Sequence, residues 1–214
     1  MFTEKQTIKN QKVKEIILFV YAFIVVPIFS IIVISSGKQT ALYNSLSRLA
    51  WPENLLWLVL VWGAVDFACF FYATKMTVDA AGYTKKWQAV FFSVTAVSCL
   101  LLIIGIAIPA YNDPDPNVQM LRSIHTGFCA VGIFGFLVTL IIMTITLYKR
   151  NLRQFYFSTA ILCFLVISAI FALVKISDPS SYCHVSAPAQ IYIFSMYNVV
   201  MSINYFTSTL TQKE

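Results

Sequence analysis

Residues 55–74 read LLWLVLVWGAVDFACFFYAT, an apolar run of twenty residues interrupted by a single acid, Asp66. A helix of about twenty apolar residues crosses the roughly 30 Å hydrocarbon core of a bilayer. The run has company. Comparable stretches occur at 16–35, 88–110, 125–147, 157–174 and 188–208, so that six predicted spans fill most of the 214-residue chain. The expectation is an all-α, polytopic integral membrane protein, with residues 1–214 forming one six-helix bundle.

Composition points the same way. The chain is 59% hydrophobic and 11% charged, with a mean hydropathy of +0.77; a soluble domain carries about a quarter charged residues. The first run ends Ile34-Ser-Ser-Gly-Lys38 without a small-x-small cleavage site, so it is expected to stay as the first helix.

A net charge of +6 could suit nucleic acid, but its placement suits membrane orientation instead. Lys5, Lys9, Lys12, Lys14, Lys75, Lys85, Lys86, Lys149, Arg150, Arg153 and Lys213 fall on one side of the six spans. Lys38, Arg48, Arg122 and Lys175 fall on the other. By the positive-inside rule both termini face the cytoplasm, and the outer loops are 36–54, 111–124 and 175–187. No nucleic-acid partner is expected; membrane lipids are, together with other membrane proteins or a second copy of the chain.

Four of five cysteines, Cys69, Cys99, Cys129 and Cys163, lie in apolar runs, where cysteine acts as a small hydrophobe. Cys183 lies in an outer loop beside His184, and two ligands fall short of the three or four that zinc takes. Two histidines, one near a helix end and one in a loop, cannot supply facing haem ligands. Neither a metal nor another cofactor is expected. The Gly-x-Ser-x-Gly, His-Glu-x-x-His, P-loop and Rossmann patterns are missing, which disfavours an enzyme.

Asp66 is the only acid inside the six runs as drawn, and near mid-span an aspartate costs about 3 kcal/mol unless it is neutral or paired. It should therefore face protein. Trp62, Gly63, Cys69, Phe70 and Ala73 share its helix face, and the last run offers polar groups at similar depth: Asn198, with Ser195, Ser202 and Tyr205 extending the stripe. Two kinds of role are open, a functional one as a proton or cation carrier or a general acid, and a structural one as a protonated acid bonded to Asn198 that locks the second and sixth helices. A second constellation gathers at the outer face. Arg122 and His125, at the expected start of the fourth helix, join Ser45, Ser47 and Arg48, with Glu53, Asp113, Asp115, Lys175, Asp178 and His184 in neighbouring loops; such a rim could hold a phosphate or carboxylate headgroup. Gly127, Gly132 and Gly135 follow, fit for close approach by a helix or a lipid chain. Trp51-Pro-Glu-Asn54 has the look of a helix start.

Three stretches carry a family resemblance: Asn44–Asn54, Arg122–Gly127 and Tyr197–Tyr205. In these the chain resembles the Frag/DRAM/Sfk group of six-helix membrane proteins, or a related bacterial six-helix family of unknown function. That resemblance implies a non-enzymatic, lipid-associated or regulatory role. The acid usual in the group's last helix is replaced here by Gln190 or by Tyr197-Asn198. The readings carried forward are a lipid-associated protein using the outer rim, a small proton-coupled carrier using Asp66 and Asn198, and an intramembrane hydrolase.

Overall fold

The computed structural model describes residues 2–37, 46–51, 53–109, 115–147, 152–177 and 186–210, all of them helical or in short turns. The elements are α1 (Phe2–Val20), a π-helical turn (Tyr21–Val25), α2 (Val26–Ser35), α3 (Leu46–Ala50), α4 (Leu56–Ala80), α5 (Lys85–Ala107), α6 (Pro116–Leu147), α7 (Leu152–Ser177) and α8 (Ser186–Leu210). Four stretches, Asn10–Ser35, Leu56–Ala80, Lys85–Ala107 and Pro116–Thr146, are long and apolar enough to cross a membrane. α7 contains a shorter apolar stretch, Phe155–Ser168.

α1, the π turn and α2 form one rod. Pro27 explains the turn, because it lacks the N–H that would bond one turn back and its ring crowds the same carbonyl. The helix widens just before it, where the Val26 N–H reaches the Tyr21 carbonyl.

Helix boundaries differ from the expected runs, for local reasons. α4 continues to Ala80, six residues past the predicted run 55–74, and Lys75 and Asp79, one turn apart on this exposed extension, pair at 3.1 Å. α6 begins at Pro116, not 125: Asp115 accepts the Asn117 N–H at 2.8 Å, and a proline in the first turn has no N–H to satisfy. Arg122 and His125 therefore lie well inside α6 rather than at its start. Trp51–Asn54 is also not the first turn of α4. Asn54 adopts φ 58°, the Asn54 N–H bonds the Trp51 carbonyl and the Leu55 N–H bonds the Leu49 carbonyl, which closes off α3 before α4 begins.

Two seams hold the helices together. α5 and α6 pack most closely: a Cβ on Gly132 would sit 2.6 Å from Leu102 Cγ and 3.0 Å from the Ser98 carbonyl, and one on Gly135 would strike the Ser98 side chain. These glycines thus admit a helix, α5, rather than a lipid chain. Gly127, by contrast, faces open space, and Gly63 has only ordinary contacts with Ile106 and Phe67. α8 forms the other seam, packing on α4, α7 and α2. Between the seams lies an aromatic cluster, with Phe136 centred 4.6 Å from Phe70, 5.7 Å from Tyr197 and 6.0 Å from Phe67.

Cross-helix hydrogen bonds define the two ends of the molecule. At one end Tyr72 reaches Lys14 at the start of the first rod, Tyr83 reaches Met143 and Thr146 late in α6, and Ser158 early in α7 reaches Asn204 late in α8. At the other, Trp51 after α3 reaches Ile106, and His125 reaches Gly105. Outward-facing side chains are largely apolar, Ile16, Ile31, Val97, Phe134, Phe164 and Ile167 among them. Such a surface is a liability in water and ordinary in lipid.

Candidate functional site

A column of polar side chains runs through the interior between the first rod, α4 and α8. Its centre is Asp66, near the middle of α4 and only 2% exposed. Asn198 of α8, fully buried, donates from Nδ2 to Asp66 Oδ1 at 2.9 Å and to the Asp66 carbonyl at 3.2 Å. The expected pair is thus formed, and Trp62, Gly63, Cys69, Phe70 and Ala73 are buried on the same side of α4. An apolar helix positions this carboxyl because its outward neighbours, Trp57, Val61, Ala64 and Ala68, are free to face the surroundings.

One turn from Asp66 toward α3, the Trp62 indole N–H donates to Ser30 Oγ at 2.9 Å. Ser30 in turn donates to the Val26 carbonyl at 2.7 Å and lies 3.3 Å from Ser195 Oγ of α8. In the other direction Thr77 Oγ1 donates to the carbonyls of Ala73 (2.8 Å) and Met201 (3.3 Å). Ser202, one turn beyond Asn198, and Thr74, two turns beyond Asp66, are fully buried, and their hydroxyls have no hydrogen-bond partner among the described residues. The same is true of Asn198 Oδ1.

The column ends on a second carboxyl. Tyr205 donates to Glu15 Oε1 at 3.1 Å, while Gln11 Nε2 donates to the Tyr205 hydroxyl at 2.5 Å and approaches Glu15 Oε1 at 3.4 Å. Glu15 is half-buried and falls inside the apolar stretch Asn10–Ser35. Asp66 is therefore not the only acid within a potential span. Sequence reading missed Glu15 because Lys12 and Lys14 beside it make the segment resemble a polar tail. The available signal was helical phase: Gln11 and Glu15 are one turn apart, on the face that meets α8.

The outer rim is assembled only in part. Arg122 is exposed, but His125 turns inward between α5 and α6, its Nδ1 2.7 Å from the Gly105 carbonyl and its Nε2 3.8 Å from Cys129 Sγ. Ser45, Asp113, Asp178, Cys183 and His184 lie outside the described residues, as do the side chains of Ser47, Arg48, Lys175 and Gln190. Among the described residues, no three His, Cys, Asp or Glu side chains gather in a metal-binding group. Cys69 and Cys99 are buried free thiols, Cys129 is partly buried and Cys163 is exposed.

No family model matches this chain, and no curated protein or solved structure matches it significantly.

Proposed function

We propose that this is a six-span integral membrane protein, with both termini cytoplasmic, that carries protons or a small cation by way of Asp66. Four spans are supported by length and apolar character. α7 and α8, at 26 and 25 residues, supply the fifth and sixth, and the lipid-like exterior of α7 at Phe164 and Ile167 fits that assignment. Lys12, Lys14, Lys75, Lys85, Lys86 and Arg153 sit toward the end of the molecule where the first rod begins, in keeping with the positive-inside rule.

One observation carries the functional reading. A carboxyl 2% exposed is held by a neutral amide whose own oxygen is left without a donor. An amide pair alone would tie α4 to α8; the ionisable group adds a site that can take up and release a proton, as ionisable residues within membranes commonly do. In proteoliposomes under an imposed pH gradient and a potassium diffusion potential, wild-type protein should acidify the interior, detected by an entrapped pH dye. Asp66→Asn keeps a hydrogen-bonding side chain toward Asn198 and should reduce flux to that of empty vesicles. Wild-type flux equal to that of empty vesicles, or full flux from Asp66→Asn, would remove the reading.

The lipid-associated role implied by the Frag/DRAM/Sfk resemblance is a second reading, supported by the exposed Arg122 on α6. Its partner is an anionic lipid headgroup, and Arg offers the planar fork for it. Mass spectrometry of co-purified lipid should show less anionic lipid in Arg122→Ala than in wild type. An unchanged profile would reduce Arg122 to an interfacial anchor.

A further inference from the structure

We propose that Glu15, Tyr205 and Ser202 form a proton relay joining the end of the molecule at Glu15 to the buried carboxyl of Asp66, which Asn198 holds in place. The inference deepens the carrier reading by adding the route and the second carboxyl. Four observations support it. Tyr205, Ser202 and Asn198 lie on one stripe of α8 at spacings of three and four residues, so their polar groups stack along one helix face. The stripe touches a carboxyl at each end: Asn198 bonds Asp66 at 2.9 Å, and Tyr205 bonds Glu15 at 3.1 Å. Glu15 is half-buried, so one end of the route meets the surroundings while the other is enclosed.

The fourth observation is that, of the buried side-chain oxygens without a partner among the described residues, Ser202 Oγ and Asn198 Oδ1 lie on this stripe and Thr74 Oγ1 lies on α4. An unsatisfied buried polar group is costly, and Asn198 and Ser202, one turn apart on the stripe, create a shared demand for hydrogen bonds. Water molecules answer such a demand where several polar groups converge. Successive turns of α8 are about 5.4 Å apart, so a short chain of water molecules is what links the polar groups along the stripe.

The transfer balances without any further reactant. The Tyr205 hydroxyl, which donates to Glu15 in the structure, turns inward once Glu15 is protonated, and Glu15 then gives its proton to the Tyr205 oxygen as Tyr205 gives up its own hydroxyl proton toward the interior. Water and Ser202 repeat the exchange, and Asp66 carboxylate receives the last proton. Glu15 ends ionised and Asp66 neutral; every hydroxyl ends as it began. Asn198 stays unchanged and orients the accepting carboxyl, which makes it a positioning residue. Among the described residues, Tyr72, bonded to the Lys14 carbonyl, and Gln11 also lie near the Glu15 end of the relay.

The test uses full-length protein in lipid and two readouts. The first is the rate at which the Asp66 carboxyl exchanges its proton for deuterium, read from its C=O stretch by infrared difference spectroscopy against Asp66→Asn. The second is the proteoliposome flux described above. Tyr205→Phe and Glu15→Gln should each slow both by about tenfold or more, with Glu15→Asp recovering part of the loss because it restores a proton acceptor. If Tyr205→Phe does not fold, Glu15→Gln, on a half-buried residue, gives the same reading. Deuterium exchange at the wild-type rate in both variants would overturn the relay, as would the lack of any carboxylic band from Asp66. If wild-type flux is nil but the variants still slow Asp66 exchange, the relay stands and the carrier falls. If wild-type flux is robust and neither variant alters it, the carrier stands and the relay falls.

Discussion

The α5–α6 seam and the α4–α8 seam solve the same packing problem by opposite means. Against α5, α6 removes side chains: Gly132 and Gly135 bring its backbone within reach of Leu102 and Ser98. Against α4, α8 keeps polar groups and matches only some of them, pairing Asn198 with Asp66 and Thr77 with the Met201 carbonyl while leaving Ser202 and Thr74 unmatched. Close packing contributes dispersion at every atom and tolerates no change of volume. A partly matched polar seam contributes less stability and retains groups that can exchange partners. Rigidity and responsiveness are thus assigned to different faces of one bundle.

The largest effect should come from the tight seam. Gly132→Val places side-chain atoms where Leu102 and the Ser98 backbone already are, and overpacking of this kind costs about 3 kcal/mol. The thermal midpoint of detergent-solubilised protein, followed by tryptophan fluorescence, should fall more than for any single change in the polar seam. A midpoint close to wild type would mean that the two helices separate freely and that the contrast is false.

Asp66→Leu should come next. It leaves both donors of the Asn198 amide with only the Asp66 main-chain carbonyl to satisfy, a loss of about 2 kcal/mol. Its midpoint should drop clearly below that of Asp66→Asn, which retains a side-chain partner. Equal midpoints for the two variants would show that the hydrogen bond contributes nothing to the seam.

Ser202→Ala should have the smallest effect, within about 0.5 kcal/mol of wild type and of either sign. Its hydroxyl bonds no group among the described residues, so its removal takes away no hydrogen bond to them. The same substitution should nonetheless slow Asp66 proton exchange. A stability loss as large as that of Asp66→Leu would show that Ser202 is a structural bond after all.

What was legible in the sequence follows from which signals are one-dimensional. Asp66 stands out because a single acid in an apolar run has one physical answer, burial against protein with a partner. Asn198 follows by depth alone, and the helices follow from run length. Glu15 was not legible, because apolar content defines where a run begins while the helix itself extends into residues that content discards. His125 was misplaced for a related reason: the prolines at 114 and 116 read as the stop of the third helix before a loop to 124, whereas Pro116 opens α6 two turns before His125. The outer rim depended on loops converging in space, which spacing along a chain does not encode. The glycines of α6 were recognisable as places of close approach, but the identity of the neighbour, α5, required the fold.

The π turn at Tyr21–Val25 has a consequence for angular phase. Each residue of an α-helix advances about 100° around the axis, so Gln11 and Ser30, nineteen positions apart, would point about 100° away from one another on a regular rod. A π turn takes up one extra residue without advancing the spiral. The effective separation becomes about eighteen residues, five whole turns, and both side chains meet α8: Gln11 at Tyr205, Ser30 at Ser195. The widened turn thus works as a one-residue gear that lets a single rod present the same edge to α8 at both of its ends. Without it, either the Gln11–Glu15 contact or the Ser30 contact would rotate toward lipid, and α8 would lose polar company at one end of its stripe.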